Sequence, residues 1–172
     1  MSIKVIAFDL FGTVFDMSGV DRAEIRAYLE HIKKPEWSPL VLPDSWRKMK
    51  PFPDAREGFK RLTKQYLTTS LSNAPITLQC RLFVDNYLSL HFLTPLEMLR
   101  VYKTDPRAYL SVCDLFSVEP SEVMMVTANK DFGDLEAAEK LGMTPMLIRG
   151  ETGPKTIIEL AEQLGCLVEH WC

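Results

Sequence analysis

In the stretch "IKVIAFDLFGTVFD", Asp9 closes an apolar run, and the chain then turns at Gly12 towards Thr13. Three other places put polar side chains after or between apolar segments. "TTSLSNAP" carries Ser70, Ser72 and Asn73; "YKTDPRAY" carries Lys103; "VMMVTANKDFGD" carries Thr127, Asn129, Asp131 and Asp134. A carboxylate that attacks carbon or phosphorus needs a nearby cation to orient it and balance its charge. Hydroxyl and amide donors hold the anion that develops, and a second carboxylate can position or activate water. Each piece alone has a plainer reading. Asp-x-x-Gly is a turn, a lysine before a helix is solvated, "SNAP" begins a helix, and acids at a helix start answer its dipole. Their occurrence together, in order and each at a strand end, points to one site.

The elements that would position these residues alternate in type. "IKVIAFD", "YLTTSLS", "LHFLTP", "EVMMVTA" and "TPMLIRG" read as strands. Between them lie helical patterns, "DAREGFKRLTKQ" with Asp54 as its cap, "APITLQCRLFVDNYL", "DPRAYLSVCDLF" with Asp105 as cap and Pro106 at its first position, "FGDLEAAEKLG", and finally "KTIIELAEQLG". Strand–helix alternation predicts an α/β fold with a mostly parallel sheet and helices on both faces. In such a sheet ligands bind at the carboxyl ends of the strands, where the polar residues above fall.

Residues 17–52 interrupt the alternation. "DRAEIRAYLEHIKK" predicts a helix with Ile25, Tyr28, Leu29 and Ile32 on one face, and the Pro-rich "PEWSPLVLPDSW" predicts a loop. This is too little chain for a core of its own, so residues 1–172 read as one domain with a short insertion beside the site. Its length predicts an insertion that cannot roof the site by itself. Its apolar residues, Trp37, Leu40, Val41, Leu42 and Trp46, leave two readings open: all of them pack on the sheet domain, or part of them forms a homodimer contact near the site mouth.

The chain has 172 residues, 47% of them hydrophobic and 25% charged, with a net charge of −3. That balance gives no basic footprint for nucleic acid, and no run is long enough for a transmembrane helix. The N-terminus enters a strand too early for a secretory signal. Cys80, Cys113, Cys166 and Cys172 lack CxxC spacing and read as reduced thiols of a cytoplasmic protein. His31, His91 and His170 have no zinc-ligand spacing.

Taken together, "DLFGTVFD", "LSN", "YKTDPRAY" and "VTANKDFGDLEAAEKLG" resemble the four motifs of the haloacid dehalogenase superfamily, over residues 4–148. The resemblance implies a Rossmann-like sheet and an aspartate nucleophile, Asp9, that forms a covalent ester. In the superfamily's phosphatases the residue two after the nucleophile is a second aspartate that transfers a proton. Phe11 cannot do so. An aromatic there is similar to the branch that acts on 2-haloacids, where the leaving halide needs no proton. "KTDPRAY" is similar to the Lys-x-Asp-Pro-Arg-x-Tyr stretch of that branch. The resemblance therefore implies Asp9, Thr13, Lys103 and Asp134 as catalytic residues. It implies Phe11, Ser72, Asn73, Tyr109, Asn129 and Asp131 as substrate-binding residues, with a small-molecule substrate and no cofactor or metal.

This sequence departs from that branch in three ways. Asp131 stands where the branch has asparagine, and Asn129 where it has serine. Residues 17–52 replace a longer helical cap that supplies an arginine for the substrate carboxylate. Arg22, Arg26 and Arg47 are the candidates here. The alternatives are a Mg2+-dependent phosphatase of the same superfamily, with Asp9, the Phe11 carbonyl and Asp134 or Asp131 as ligands, and a non-catalytic binding protein on the same fold.

Overall fold

The computed structural model describes residues 2–166. Strand β1 (Val5–Phe8) is central in a five-stranded parallel sheet of order β5-β4-β1-β6-β7. It pairs on one side with β4 (Leu67–Ser70) and on the other with β6 (Val123–Thr127). The short edge strands are β5 (Phe92–Leu93) and β7 (Thr144–Leu147). The register sets Phe8 level with Ser70 and Val126, so the segments following all three strands emerge at one edge. The chain runs outward from β1 through β4 to β5, then returns to β6 on the other side of β1. The carboxyl end of β1 is thus the switch point, where such sheets open a crevice.

β1 is fully buried, and its alternating side chains serve two cores. Ile6 and Phe8 join Phe59 of α2 (Ala55–Leu62), Leu78 and Leu82 of α3 (Ile76–Asp85), and Ile157 and Leu160 of α7 (Ile157–Gln163). Val5 and Ala7 face the other way, against Leu96 of α4 (Leu96–Leu99), Ala108, Tyr109 and Val112 of α5 (Pro106–Phe116), and Ala138 of α6 (Asp134–Lys140). Helices cover both faces, as the alternation predicts. Asp105 caps α5 by accepting from the Arg107 amide at 2.9 Å, with Pro106 at the first helical position.

A two-stranded antiparallel ribbon, β2 (Phe15–Asp16) with β3 (Lys50–Pro51), gathers the two ends of the insertion. Between them lie α1 (Arg22–Ile32), capped by Asp21, and a loop ending in a 3-10 turn at Asp44–Lys48. That turn lies in the segment expected to be irregular, and it carries Trp46 into the core. β2, β3 and α4 span too few residues to show a period in the sequence.

Asp54 does not cap α2. Its backbone is already helical and its side chain makes no bond to the first turn. The carboxylate instead accepts from the Ile157 amide at 2.7 Å and from Arg149 Nη2 at 2.9 Å. A charged partner and a distant helix start outweigh the local cap. Cys80, Cys113 and Cys166 are free thiols, whereas Cys172 and His170 lie outside the described residues. Among the described residues, no helix is long and apolar enough to cross a membrane.

Candidate active site

Asp9 leaves β1 with its amide still bonded to the Val126 carbonyl at 2.9 Å, so its Cα belongs to the rigid sheet edge. The chain must then fold back within a few residues. Gly12 permits this with φ +76°, a region that costs other residues steric strain. The amides of Thr13, Val14 and Phe15 all turn onto the Leu10 carbonyl. This coil returns the Thr13 hydroxyl to Asp9 Oδ2 at 2.9 Å, while the same hydroxyl accepts from the Ala128 amide at 2.9 Å. Asn129, from the loop after β6, donates to Asp9 Oδ2 at 2.9 Å and to the Phe11 carbonyl at 3.1 Å.

Lys103 Nζ lies 2.7 Å from Asp9 Oδ1 and 2.8 Å from Asp134 Oδ2, with its side chain 5% exposed. Its backbone is fixed by Asn73, whose Oδ1 accepts from the Lys103 amide at 2.7 Å. Asp134 opens α6, and its Oδ1 takes the Tyr109 hydroxyl at 3.0 Å. Burial pushes the Asp9 carboxyl above its ordinary value, and the Asp134 charge adds to this, while Lys103 and Thr13 act against it. Burial alone would lower Lys103, but the Asp134 and Asp9 charges override it and hold the ammonium charged above its ordinary value. Burial and the Asp134 charge likewise keep Tyr109 a neutral donor.

These groups form the base of a cavity of about 330 Å3. Phe11, Asn73, Lys103, Asn129 and Asp134 line it with Asp9, and Met17, Ile25, Tyr28, Leu29, Ile32, Lys33, Thr104 and Phe132 complete it. The insertion therefore builds a wall of the site from its own chain. The reason is aromatic packing. Phe11 meets Trp46 with ring centres 4.9 Å apart and Tyr28 at 5.6 Å, both edge-on, and Trp46 is fully buried. Trp46 Nε1 and the Ser45 hydroxyl both donate to Glu24 of α1, which ties the 3-10 turn to the helix. Phe11 thus anchors the insertion in place of carrying an acid. Trp37 is half-buried, and Val41 stands 87% exposed.

Several expected residues sit elsewhere. Tyr109 is fully buried and holds Asp134 without lining the cavity. Ser72 is buried too, its hydroxyl accepting from the Ala74 amide in the turn that starts α3. Ser70 belongs to a core network with Gln79 and Thr94. Asp131 is exposed and faces a separate groove, because the loop after β6 turns outward beyond Asn129. Arg22 and Arg26 are exposed, Arg47 pairs with Asp44, and none lines the cavity.

Asp131 does not join Asp9 and Asp134, because it lies in a separate groove. Both oxygens of Asp9 and both of Asp134 already accept protein donors, and an ammonium stands between the two carboxylates. Among the described residues no three His, Cys, Asp or Glu side chains gather to hold a metal.

Two contributors escape sequence reasoning. Tyr28 lines the cavity with Asp9 and Asn73; burial first, then the Asp9 charge, raises its pKa and keeps it neutral. Its only sequence signal is its place in the α1 stripe. Arg149 donates to the Thr13 carbonyl at 2.9 Å, pairs with Asp54, and covers the Phe52 ring at 3.9 Å. It braces the loop from Asp9 to Thr13 from behind, and Arg149 and Asp54 are both more than four-fifths buried. Asp54→Ala is expected to cost about 3–5 kcal/mol by leaving a buried guanidinium unpaired. Urea unfolding measures this, and a loss under 1 kcal/mol would remove the brace.

No family model matches the chain. It is 30% identical over 141 residues to (S)-2-haloacid dehalogenase 4A of Burkholderia cepacia, covering 76% of this chain and 58% of that enzyme. The chain thus spans under two thirds of that relative's length. Its fold matches the L-2-haloacid dehalogenase of Xanthobacter autotrophicus with a TM-score of 0.79 at 18% identity, covering 96% of this chain and 100% of that one. It also matches a defluorinating L-2-haloacid dehalogenase with a TM-score of 0.80 at 23% identity, covering 95% of each chain.

Proposed function

We propose, from the premise that the chain belongs to the haloacid dehalogenase superfamily, that it is a hydrolase of the dehalogenase-like branch that displaces halide from 2-haloacids through an Asp9 ester. The observation that carries this reading is the Lys103 ammonium bridging Asp9 and Asp134 at the base of a cavity, with Phe11 in the place where a phosphatase would need an acid. An ammonium in that position balances charge without a metal, so the chemistry proposed requires no cofactor. Residues 17–52 serve as a reduced cap on a single domain.

In the first step an Asp9 oxygen attacks the halogen-bearing carbon. A carbon–oxygen bond forms, the carbon–halogen bond breaks, and its electron pair leaves with the halide. Thr13 and Asn129 fix the carboxylate plane from Oδ2, and Lys103 holds Oδ1. In the second step water attacks the Asp9 carbonyl carbon, with Asp134 accepting its proton. The Lys103 ammonium and the Thr13 and Asn129 donors stabilise the tetrahedral oxyanion. The alkoxide leaves, takes that proton from Asp134 and departs as the hydroxyacid. Asp9, left as the free acid with the water's second hydrogen, releases that proton to solvent to regain its carboxylate, so each turnover yields one hydroxyacid, one halide and one proton. Phe11, Asn73 and Tyr28 face the substrate.

The test is halide release from 2-chloropropionate, assayed beside an aryl phosphate with Mg2+. Chloride release without added metal is the expected result. Magnesium-dependent phosphate release with no chloride would replace this reading by the phosphatase one.

A further inference from the structure

Helix α1 has an apolar stripe but no buried residue. An amphipathic helix ordinarily covers such a stripe with protein. Ile25 and Tyr28 reach the core only in part, while Leu29 and Ile32 lie outside both core clusters and line the cavity. Met17 lines it too, and Phe132, 43% exposed, is at the rim. Apolar surface facing a cavity whose base is charged is apolar surface without a protein partner.

The size of the space points the same way. At about 30 Å3 per water molecule in the liquid, 330 Å3 amounts to about eleven water-sized units. A three-carbon haloacid, with about six non-hydrogen atoms, fills only part of such a volume, which lies at the low end of the roughly 300–1,000 Å3 typical of small-molecule sites. A two- or three-carbon substrate with its reacting carbon at Asp9 would leave the Leu29, Ile32 and Phe132 surfaces wet.

We propose that the site takes organohalides with an extended apolar body, medium-chain or aryl-substituted 2-haloacids, whose chain lies along α1 between Leu29, Ile32 and Phe132. The proposal rests on the dehalogenase reading for its reaction, and on the cavity alone for its size preference. The reacting end enters the polar base, and the chain extends toward the rim, where Lys33 ends α1. Each methylene that leaves water along this wall should strengthen transition-state binding about fourfold.

The experiment uses the full chain and two ligand series. The first is kcat/KM for bromide release from 2-bromopropionate, 2-bromobutanoate, 2-bromohexanoate and 2-bromooctanoate. The second is the Kd, by calorimetry, of the halogen-free acids of the same lengths, which needs no reaction. The expected result is a rise in both, roughly 60-fold from three to six carbons, levelling once the cavity is full. Leu29→Ser, checked for fold by circular dichroism, should flatten the rise in affinity. Affinity that rises with length without bromide release would sink the reaction but keep the size preference. Bromide release with affinity and kcat/KM independent of length would overturn the size preference and leave the reaction standing, and a slope unchanged in Leu29→Ser would overturn the placement of the chain along α1.

Discussion

Asp9→Asn is expected to lower halide release by roughly 10^4 to 10^6, the largest effect of any single substitution in this chain. The amide is a far poorer nucleophile, and its nitrogen must face a donor that the carboxylate accepted. Lys103 occupies one side, Thr13 and Asn129 the other. The variant should therefore lose some stability as well, so activity is to be normalised to the folded fraction. A single turnover of the wild type in 18O-labelled water supplies the direct check. Water attacking the Asp9 carbonyl carbon leaves the label on Asp9 and none on the first hydroxyacid released. Label in that first product, with Asp9 unlabelled, would mean water attacks the substrate directly and would remove the ester.

Lys103→Met should follow, with a loss of about 10^2 to 10^3 in kcat and a change in the pH profile that a purely structural role would not give. Asp9 acts only when ionised. Burial and the Asp134 charge already raise its pKa, and Lys103 is the main influence holding it down. Removing the ammonium should move the acidic limb of kcat/KM to higher pH. Stability responds with a definite sign in the wild type. A lysine whose folded pKa is raised contributes stability that is complete below its ordinary value of 10.5 and is lost only as pH climbs through the raised value. Asp9, also raised, contributes stability that is complete below the ordinary 3.8 and lost as pH rises through its folded value. Neutral-pH stability therefore owes more to Lys103 than to the ionised Asp9. An acidic limb unchanged in Lys103→Met would show that another group controls it.

The sequence determined the frame of this protein. Strand–helix alternation fixed a parallel sheet with helices on both faces, because βαβ units have few other ways to bury their apolar sides. It also placed Asp9, Asn73, Asn129 and Asp134 at one edge, since residues that follow parallel strands must emerge together, whereas Lys103 follows α4 and not a strand, and its amide is held there by Asn73. The departure at Phe11 was legible as the lack of an acid, though its positive role was not. That role lies in contacts with Trp46 and Tyr28, 35 and 17 residues away in the chain, and no local pattern encodes such contacts.

Tertiary structure alone decided which polar residues face the cavity. Tyr109 and Ser72 share motifs with Lys103 and Asn73, yet a helix buried against the sheet and a tight turn direct them into the protein. Asp131 is two residues from Asn129 and points to a different groove. Asp54 reads as a cap from its position, but Arg149, 95 residues later, claims its charge. The insertion reads as too short to roof the site by itself. Its ends are pinned by the β2–β3 ribbon and its middle by an aromatic cluster, so one helix suffices to form a wall. Spacing along a chain sets which residues can meet at a sheet edge; the direction each side chain then takes depends on packing partners distant in sequence.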